Sequence, residues 1–235
     1  MDTKITRQRI DAHLEYDWFK YILILLATIA LWIFVFQMIN QSREYETIGI
    51  FAAVGEAHDG RVAQRLGNEF ADDSIIRDTN IRFAPYGSQA FFEQLATVGM
   101  ITSDILILPF RLMQGQSMTE DIEYTRGHAL SMLVLDDYLI EKLLPNGIEN
   151  TPERFFIDID AEGRRVNRRG IRIDNLPNAD NFFNFTRPPD TNAEDFSFYI
   201  AFNQRSANIG RYSRRSRDEH EQAIHAVRVL LEWMS

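Results

Sequence analysis

From Tyr21 to Ile39 the chain reads YILILLATIALWIFVFQMI, an apolar run without a single charge. As a helix it rises roughly 28 Å, close to the ~30 Å thickness of a bilayer's hydrocarbon core. Thr28 and Gln37 are its clearly polar residues; the threonine can bond back within its own helix, and the glutamine lies near an end. Trp18, Phe19 and Tyr21 on one side, and Phe34 and Phe36 towards the other, suit the two interfaces, and Lys20 can extend its ammonium to the headgroups. A buried core helix would need cover all the way round. A cleaved signal peptide has a shorter apolar stretch and a small-residue cleavage site, whereas Asn40, Gln41, Ser42, Arg43 and Glu44 follow here. The pattern predicts a cytoplasmic tail over 1–18, a transmembrane helix over 19–40 and an extracytoplasmic domain over 41–235. The lipid bilayer is then the partner of Tyr21 to Ile39. Basic residues before the helix (Lys4, Arg7, Arg9, Lys20) against Arg43 just after it place the N-terminus inside. The expected location is the cell membrane, crossed once, with the C-terminal domain outside.

Beyond Gln41 the pattern changes to short segments. Thr47 to Val54 (TIGIFAAV) predicts a buried strand, closed by Gly55. Val62, Leu66 and Phe70 share one helical face within Arg61 to Phe70. Asn80 to Ala84 predicts a short strand. Ser88 then caps a helix carrying Phe91, Phe92, Leu95, Ala96 and Val98. Ile105 to Leu108 suits a central parallel strand, introduced by Asp104 and closed by Pro109. Strands alternating with helices predict a mainly parallel sheet covered on both faces, an α/β fold. Further on, Ser131 to Leu135 fits a strand or a helical turn and Asp137 to Leu144 a helix. Phe155 to Ile159 and Gly170 to Ile173 predict two strands, joined by a turn at Asp160 to Gly163. Phe196 to Phe202 predicts another strand. The last helix, about Asp218 to Met234, has Ala223, Val227, Leu230, Leu231 and Met234 in one stripe.

Composition adds exclusions. The net charge of −9 falls on the region after the tail, because Lys4, Arg7, Arg9 and Lys20 balance Asp2, Asp11, Glu15 and Asp17 in the first stretch. An acidic domain is a poor ligand for nucleic-acid phosphates. With no cysteine in the chain, disulfides, thiolate chemistry and a lipid-modified cysteine anchor are excluded. Asp158-Ile159-Asp160-Ala161-Glu162-Gly163 approximates the opening of a calcium loop, but the twelfth position, which needs a bidentate carboxylate, is Arg169. A solvated turn is the better reading. His220 and His225 are five apart and diverge by roughly 140° on a helix, so they do not form a zinc-protease pair. Arg164, Arg165, Arg168 and Arg169, and likewise Arg211, Arg214, Arg215 and Arg217, fit surface pairing with the excess carboxylates better than an anion site. Nothing in the spacing supports catalysis, a metal or a cofactor.

The order of segments resembles bacterial extracellular solute-binding proteins of the type 2 periplasmic-binding-protein fold. TIGIFAAVG looks like the opening strand of the first lobe, and FFEQLATVGMITSDILILP like the helix leading into a later strand. SMLVLDDYLIEKLLP is similar to the crossing towards the second lobe, and FFIDIDAEGRRVNRRGIRIDNL to the strand pair near it. FSFYIAFNQRSANIG followed by an amphipathic helix resembles the closing region. The tail TRQRIDAHLEYDWFKYILI is similar to membrane-anchored members from Gram-positive, clostridia-like bacteria. The domain is short for that family, a departure that implies a reduced second lobe; the resemblance itself implies a non-catalytic protein that holds a small molecule such as a sugar, serving an adjacent transporter permease. The alternative is an envelope interaction or scaffold module that kept the fold without its ligand. Ligands bind beyond the carboxyl ends of strands in such sheets, which singles out Glu56, Tyr86, Phe110, Arg111, Asp174, Asn175 and Phe182. Trp18 and Trp32 lie in the membrane segment and Trp233 in the last helix, so Tyr86, Phe110, Phe182 and Phe183 are the candidate apolar platforms.

Overall fold

In the computed structural model the described residues are 7–40, 43–57, 61–73, 75–111, 131–145, 148–159, 165–185, 196–210 and 221–235. The chain divides into two compact units, Met1–Ser42 and Arg43–Ser235. The described residues of the first form a single helix, α1 (Arg7–Asn40). Its stretch Trp18–Ile39 has a mean hydropathy of 2.7, and none of its residues is buried within the protein. It therefore has the length and composition of a membrane-crossing or signal helix. The Thr28 hydroxyl donates to the Ile24 carbonyl at 2.8 Å, which satisfies it inside its own helix.

The second unit is built on a six-stranded sheet. In chain order the strands are β1 (Thr47–Ala52), β3 (Asp78–Phe83), β4 (Ile105–Arg111), β5 (Phe155–Ile159), β6 (Arg165–Arg172) and β8 (Phe196–Phe202), arranged β3-β1-β4-β8-β6-β5. A separate two-stranded ladder joins β2 (Gly55–Glu56) to β7 (Phe183–Asn184). β1 pairs in parallel with β3 and β4, while β8 runs antiparallel to both β4 and β6, and β5 antiparallel to β6. Thus β1, β3, β4 and β6 share one direction and β8 and β5 oppose it. The sheet is mixed, parallel only in the first part of the domain where strands and helices alternate.

Strand alternation splits the core in two. Ile48, Ile50 and Ala52 of β1, Ile105 and Ile107 of β4, and Phe198, Ile200 and Phe202 of β8 face one way. Onto them pack α2 (Val62–Glu69), α5 (Asp137–Leu143) and α6 (Glu221–Met234), through Leu66, Leu139, Ile140, Val227, Leu230 and their neighbours. Phe51, Leu106, Leu108, Phe110, Tyr199 and Ala201 face the other way, against Phe91 and Leu95. These last two belong to α3 (Phe91–Gln94) and a π-helical turn (Leu95–Gly99), which continues into α4 (Met100–Thr102).

The structure revises three local expectations. Ser88 accepts the Phe91 amide through its backbone carbonyl, and Ala90, which makes no side-chain cap, precedes the helix. Pro109 lies inside β4 instead of closing it. β1 ends at Ala52, opposite Ile107, and Phe198, which faces Pro109, turns its carbonyl to Ile173 instead. The missing proline N–H is therefore not required by any ladder. The second hairpin strand is longer than expected, since β6 begins at Arg165, well before Gly170. The α5 expectation holds, with Asp136 accepting from the Leu139 amide at 3.0 Å as its N-cap.

At the amino end of β1 and β4 sits a buried carboxylate. Asp104 Oδ2 accepts from the Gly49 amide at 2.9 Å and from Asn208 Nδ2 at 3.0 Å; Oδ1 accepts from Ser206 Oγ at 2.6 Å. Asn208 Nδ2 also donates to the Thr47 carbonyl at 2.9 Å. Asn203 Nδ2 reaches the Ser103 and Gly99 carbonyls at 2.8 and 3.1 Å, satisfying acceptors at the end of the helix. Burial pushes the Asp104 carboxyl above the usual range, against the lowering effect of its hydrogen bonds to Ser206, Gly49 and Asn208. The loop that delivers Ser206 and Asn208 closes on Gly210, where a β-carbon would fall inside contact distance of the Gln204 and Ser206 backbone.

Gly210→Ala must therefore displace that loop and should lower the urea midpoint, with Ser206 and Asn208 withdrawn from Asp104. A carboxyl whose pKa is raised by folding contributes stability that is complete below its unfolded value near 3.8 and is lost as pH rises through the folded value. Wild type should accordingly lose stability relative to Asp104→Asn on moving from about pH 3.5 towards neutrality, measured by urea unfolding of both proteins at each pH.

Candidate functional site

The carboxyl ends of β1, β3, β4 and β6 lie at one end of the sheet, opposite the Asp104 network. From β1 the chain passes to β3 on one side, and from β4 it passes to β5 on the other. The gap between β1 and β4 at this end is therefore a topological switch point, the place where open α/β sheets bind ligands. All seven residues singled out above fall on this end or on the segments leaving it, yet they do not form one group.

Phe110, Asp174 and Asn175 come together through residues that sequence reasoning missed. Phe110 stacks on Phe156 at 4.3 Å between ring centroids and lies 6.0 Å from Tyr199. Phe156 pairs with Gly170 across the β5–β6 hairpin. A β-carbon on Gly170 would come within 3.2 Å of Tyr199 Cβ, so the bare glycine leaves room for the rings to close over it. Tyr199 pairs with Arg172. Arg172 Nε donates to Asp174 Oδ1 at 2.9 Å, and the Asp174 carboxylate is almost wholly enclosed. Arg154 Nη1 donates to Asn175 Oδ1 at 2.6 Å and to the Arg172 carbonyl at 3.3 Å.

The electrostatics follow from this crowding. Burial pushes the Tyr199 phenol up to about 12, with Arg172 opposing the rise and Asp174 adding to it. Arg154 is held below the ordinary guanidinium range, first by burial and then by the neighbouring Arg172 charge, against the smaller effects of Glu149 and Asp174. Two arginines, an aromatic stack and one enclosed carboxylate thus meet where β4 and β6 end and β8 begins. The signal for Arg154 and Arg172 was present in the sequence, because one immediately precedes the predicted hairpin and the other lies in its second strand. What was missing was the register, Phe155 opposite Ile171, which sets Arg154 beside Arg172.

The other candidates lie elsewhere. Tyr86 packs edge-on against Phe91 and 5.8 Å from Phe196. Glu56 is exposed in the small β2–β7 ladder. Phe182 stacks on Trp233 at 5.8 Å, with the Arg65 guanidinium 5.7 Å from its ring; it and Phe183 belong to the core on the face opposite Phe110. Arg111 ends β4 and pairs with Phe196. The turn Asn175 to Asn178 secures the last helix, since the Asn178 amide donates to the Met234 carbonyl at 2.9 Å.

The motifs weighed earlier resolve locally. Asp158 accepts from Arg169 Nε at 3.0 Å, so the arginine at the twelfth loop position neutralises the carboxylate at the first. Arg169 also donates to the Met132 carbonyl at 2.6 Å. Arg168 pairs with Asp137 and lies 5.5 Å from the Phe155 ring. His225 meets Phe70 edge-on at 5.6 Å. His220, Arg164, the turn Asp160 to Gly163 and the cluster Arg211 to Arg217 lie outside the described residues.

In comparisons with known proteins, no family model matches the chain, and neither does any curated protein or solved structure.

An acid whose pKa is raised by folding favours the folded state only while protonated. Tyr199 should therefore lower stability as pH climbs from its unfolded value near 10 through about 12. A spectrophotometric titration at alkaline pH should show one late phenol that Tyr199→Phe removes, and the variant should lose less stability over that interval.

Proposed function

We propose that this is a membrane-anchored, extracytoplasmic, non-catalytic binding domain of the solute-binding type, with its ligand site where β4 and β6 end and β8 begins. The observation that carries this reading is the meeting of Phe110, Asp174 and Asn175 with Arg154, Arg172 and Tyr199 at the end of the sheet where β4 and β6 finish. An aromatic body beside a few fixed polar groups is the ordinary make-up of a small-molecule site. α1 acts as the anchor, with its basic flank inside, and the bound solute would be passed to a transporter permease. The type 2 periplasmic-binding-protein resemblance accords with the strand-helix alternation from β1 to β4.

A second reading has its own observation. The described residues from Arg43 onward form one compact unit around one six-stranded sheet, so a second lobe facing the strand ends is not among them. That favours an envelope interaction module which kept the fold and uses the same end of the sheet to hold a protein partner.

A thermal-shift screen of the whole chain separates the two, because a ligand specific for the folded state raises the melting temperature by mass action, about 2.7 kcal/mol at a hundredfold excess over Kd. Saturable shifts with a solute class support the first reading, and flat curves across sugars, amino acids and peptides support the second. Protease added to intact protoplasts should remove the domain; protection of the full-length chain would refute the outward orientation.

A further inference from the structure

The sugar expected from the resemblance is a neutral ligand, whereas the strand ends carry two arginines, of which Arg154 makes no ion pair among the described residues. Arg172 already has its carboxylate, Asp174, at 2.9 Å. Arg154 hydrogen-bonds only to neutral acceptors among the described residues, the Asn175 side chain and the Arg172 carbonyl, and both are taken by Nη1. Its Nε is buried with no hydrogen-bond partner among the described residues. A buried donor left unsatisfied is destabilising, and more so when it is charged. A guanidinium held beside another guanidinium adds repulsion. Glu149 and Asp174 are near enough to support the Arg154 charge, but among the described residues neither accepts a hydrogen bond from it, which leaves its fork without a charged acceptor. Carboxylate and phosphate oxygens match the guanidinium fork geometrically as well as electrostatically. Phe156 remains partly exposed beside the Phe110–Tyr199 pair, offering an apolar surface next to that charge.

We propose that Arg154, seconded by Arg172, binds an oxyanion group of a small ligand, a carboxylate or a phosphate, at the end of the β5–β6 hairpin. The proposal rests on the strand-end binding reading above and narrows its ligand class from neutral to anionic solutes. Asn175 acts as a positioning residue, since it holds Nη1 and so orients the rest of the guanidinium.

The test is titration calorimetry on the full chain in neutral detergent, with three probes: benzoate, inorganic phosphate and maltose. Benzoate carries a carboxylate on an apolar ring, phosphate is a bare oxyanion, and maltose is neutral. The expected result is saturable binding of benzoate or phosphate that weakens with added salt, at least about tenfold weaker in Arg154→Gln, and no binding of maltose. Preference between the two anions tells a carboxylate site from a phosphate site. Arg154→Lys keeps the charge but loses the fork and should bind with intermediate affinity; it carries the test if Arg154→Gln does not fold. Anion binding as tight in either folded variant as in wild type overturns the proposal. Binding of maltose without either anion overturns it too, while the binding domain survives. Silence from all three probes overturns the anion site, while the solute-binding reading is decided separately by the thermal-shift screen across sugars, amino acids and peptides.

Discussion

Burying an ionisable carboxylate is costly unless it receives several hydrogen bonds, and Asp104 receives them from parts of the chain that are far apart in sequence. Gly49 lies in β1, Asp104 opens β4, and Ser206 and Asn208 follow β8. Asn208 also reaches back to Thr47, and Asn203 reaches the helix end at Gly99 and Ser103. No one of these segments can satisfy its polar groups alone. The network therefore ties the starts of β1 and β4 to the segment that follows β8, whose place between β4 and β6 its own ladders hold. In a connected buried network of this kind, the burial of each member is offset by its neighbours.

The opposite end of the sheet is organised differently. There the ladders run out, β1 at Ala52 and β4 at Arg111, and charged and aromatic residues gather around the Asn175 amide. A well-fixed amino end and a chemically richer carboxyl end are how a sheet can position side chains without moving them. The Arg154–Asn175 and Arg172–Asp174 contacts belong to this second end. So does the stack of Phe110 and Phe156, which spans two intervening strands only because Gly170 offers no side chain to obstruct it.

The expected aromatic platforms lie on opposite faces of the sheet. Phe110 and Phe182 both sit near strand ends, but one packs with Leu106 and Tyr199 and the other with the helices of the opposite face. A sheet separates such residues by its own thickness however close they are to its edge. Candidate sites drawn from strand ends need a face as well as an end, and the face is decided by pairing register.

Much of the architecture is legible in local pattern. The apolar run in α1 needs no tertiary information, because its length and lack of charge are properties of consecutive residues. The same holds for β1, α2, β4, α5, β8 and the stripe of α6, where apolar runs and the 3.6-residue period mark the element. The Asp158 and Arg169 pair is half visible, since the arginine rules out a calcium loop, but its role as the partner of that aspartate depends on hairpin pairing. Tertiary structure alone decides that β8 enters the sheet antiparallel, that Pro109 finds a strand position where no N–H is needed, and that Arg154 stands beside Arg172. Each of these is a contact between segments whose separation in sequence carries no periodic signal. Local pattern names the elements and their buried sides; only the packed sheet determines which charged and aromatic side chains meet.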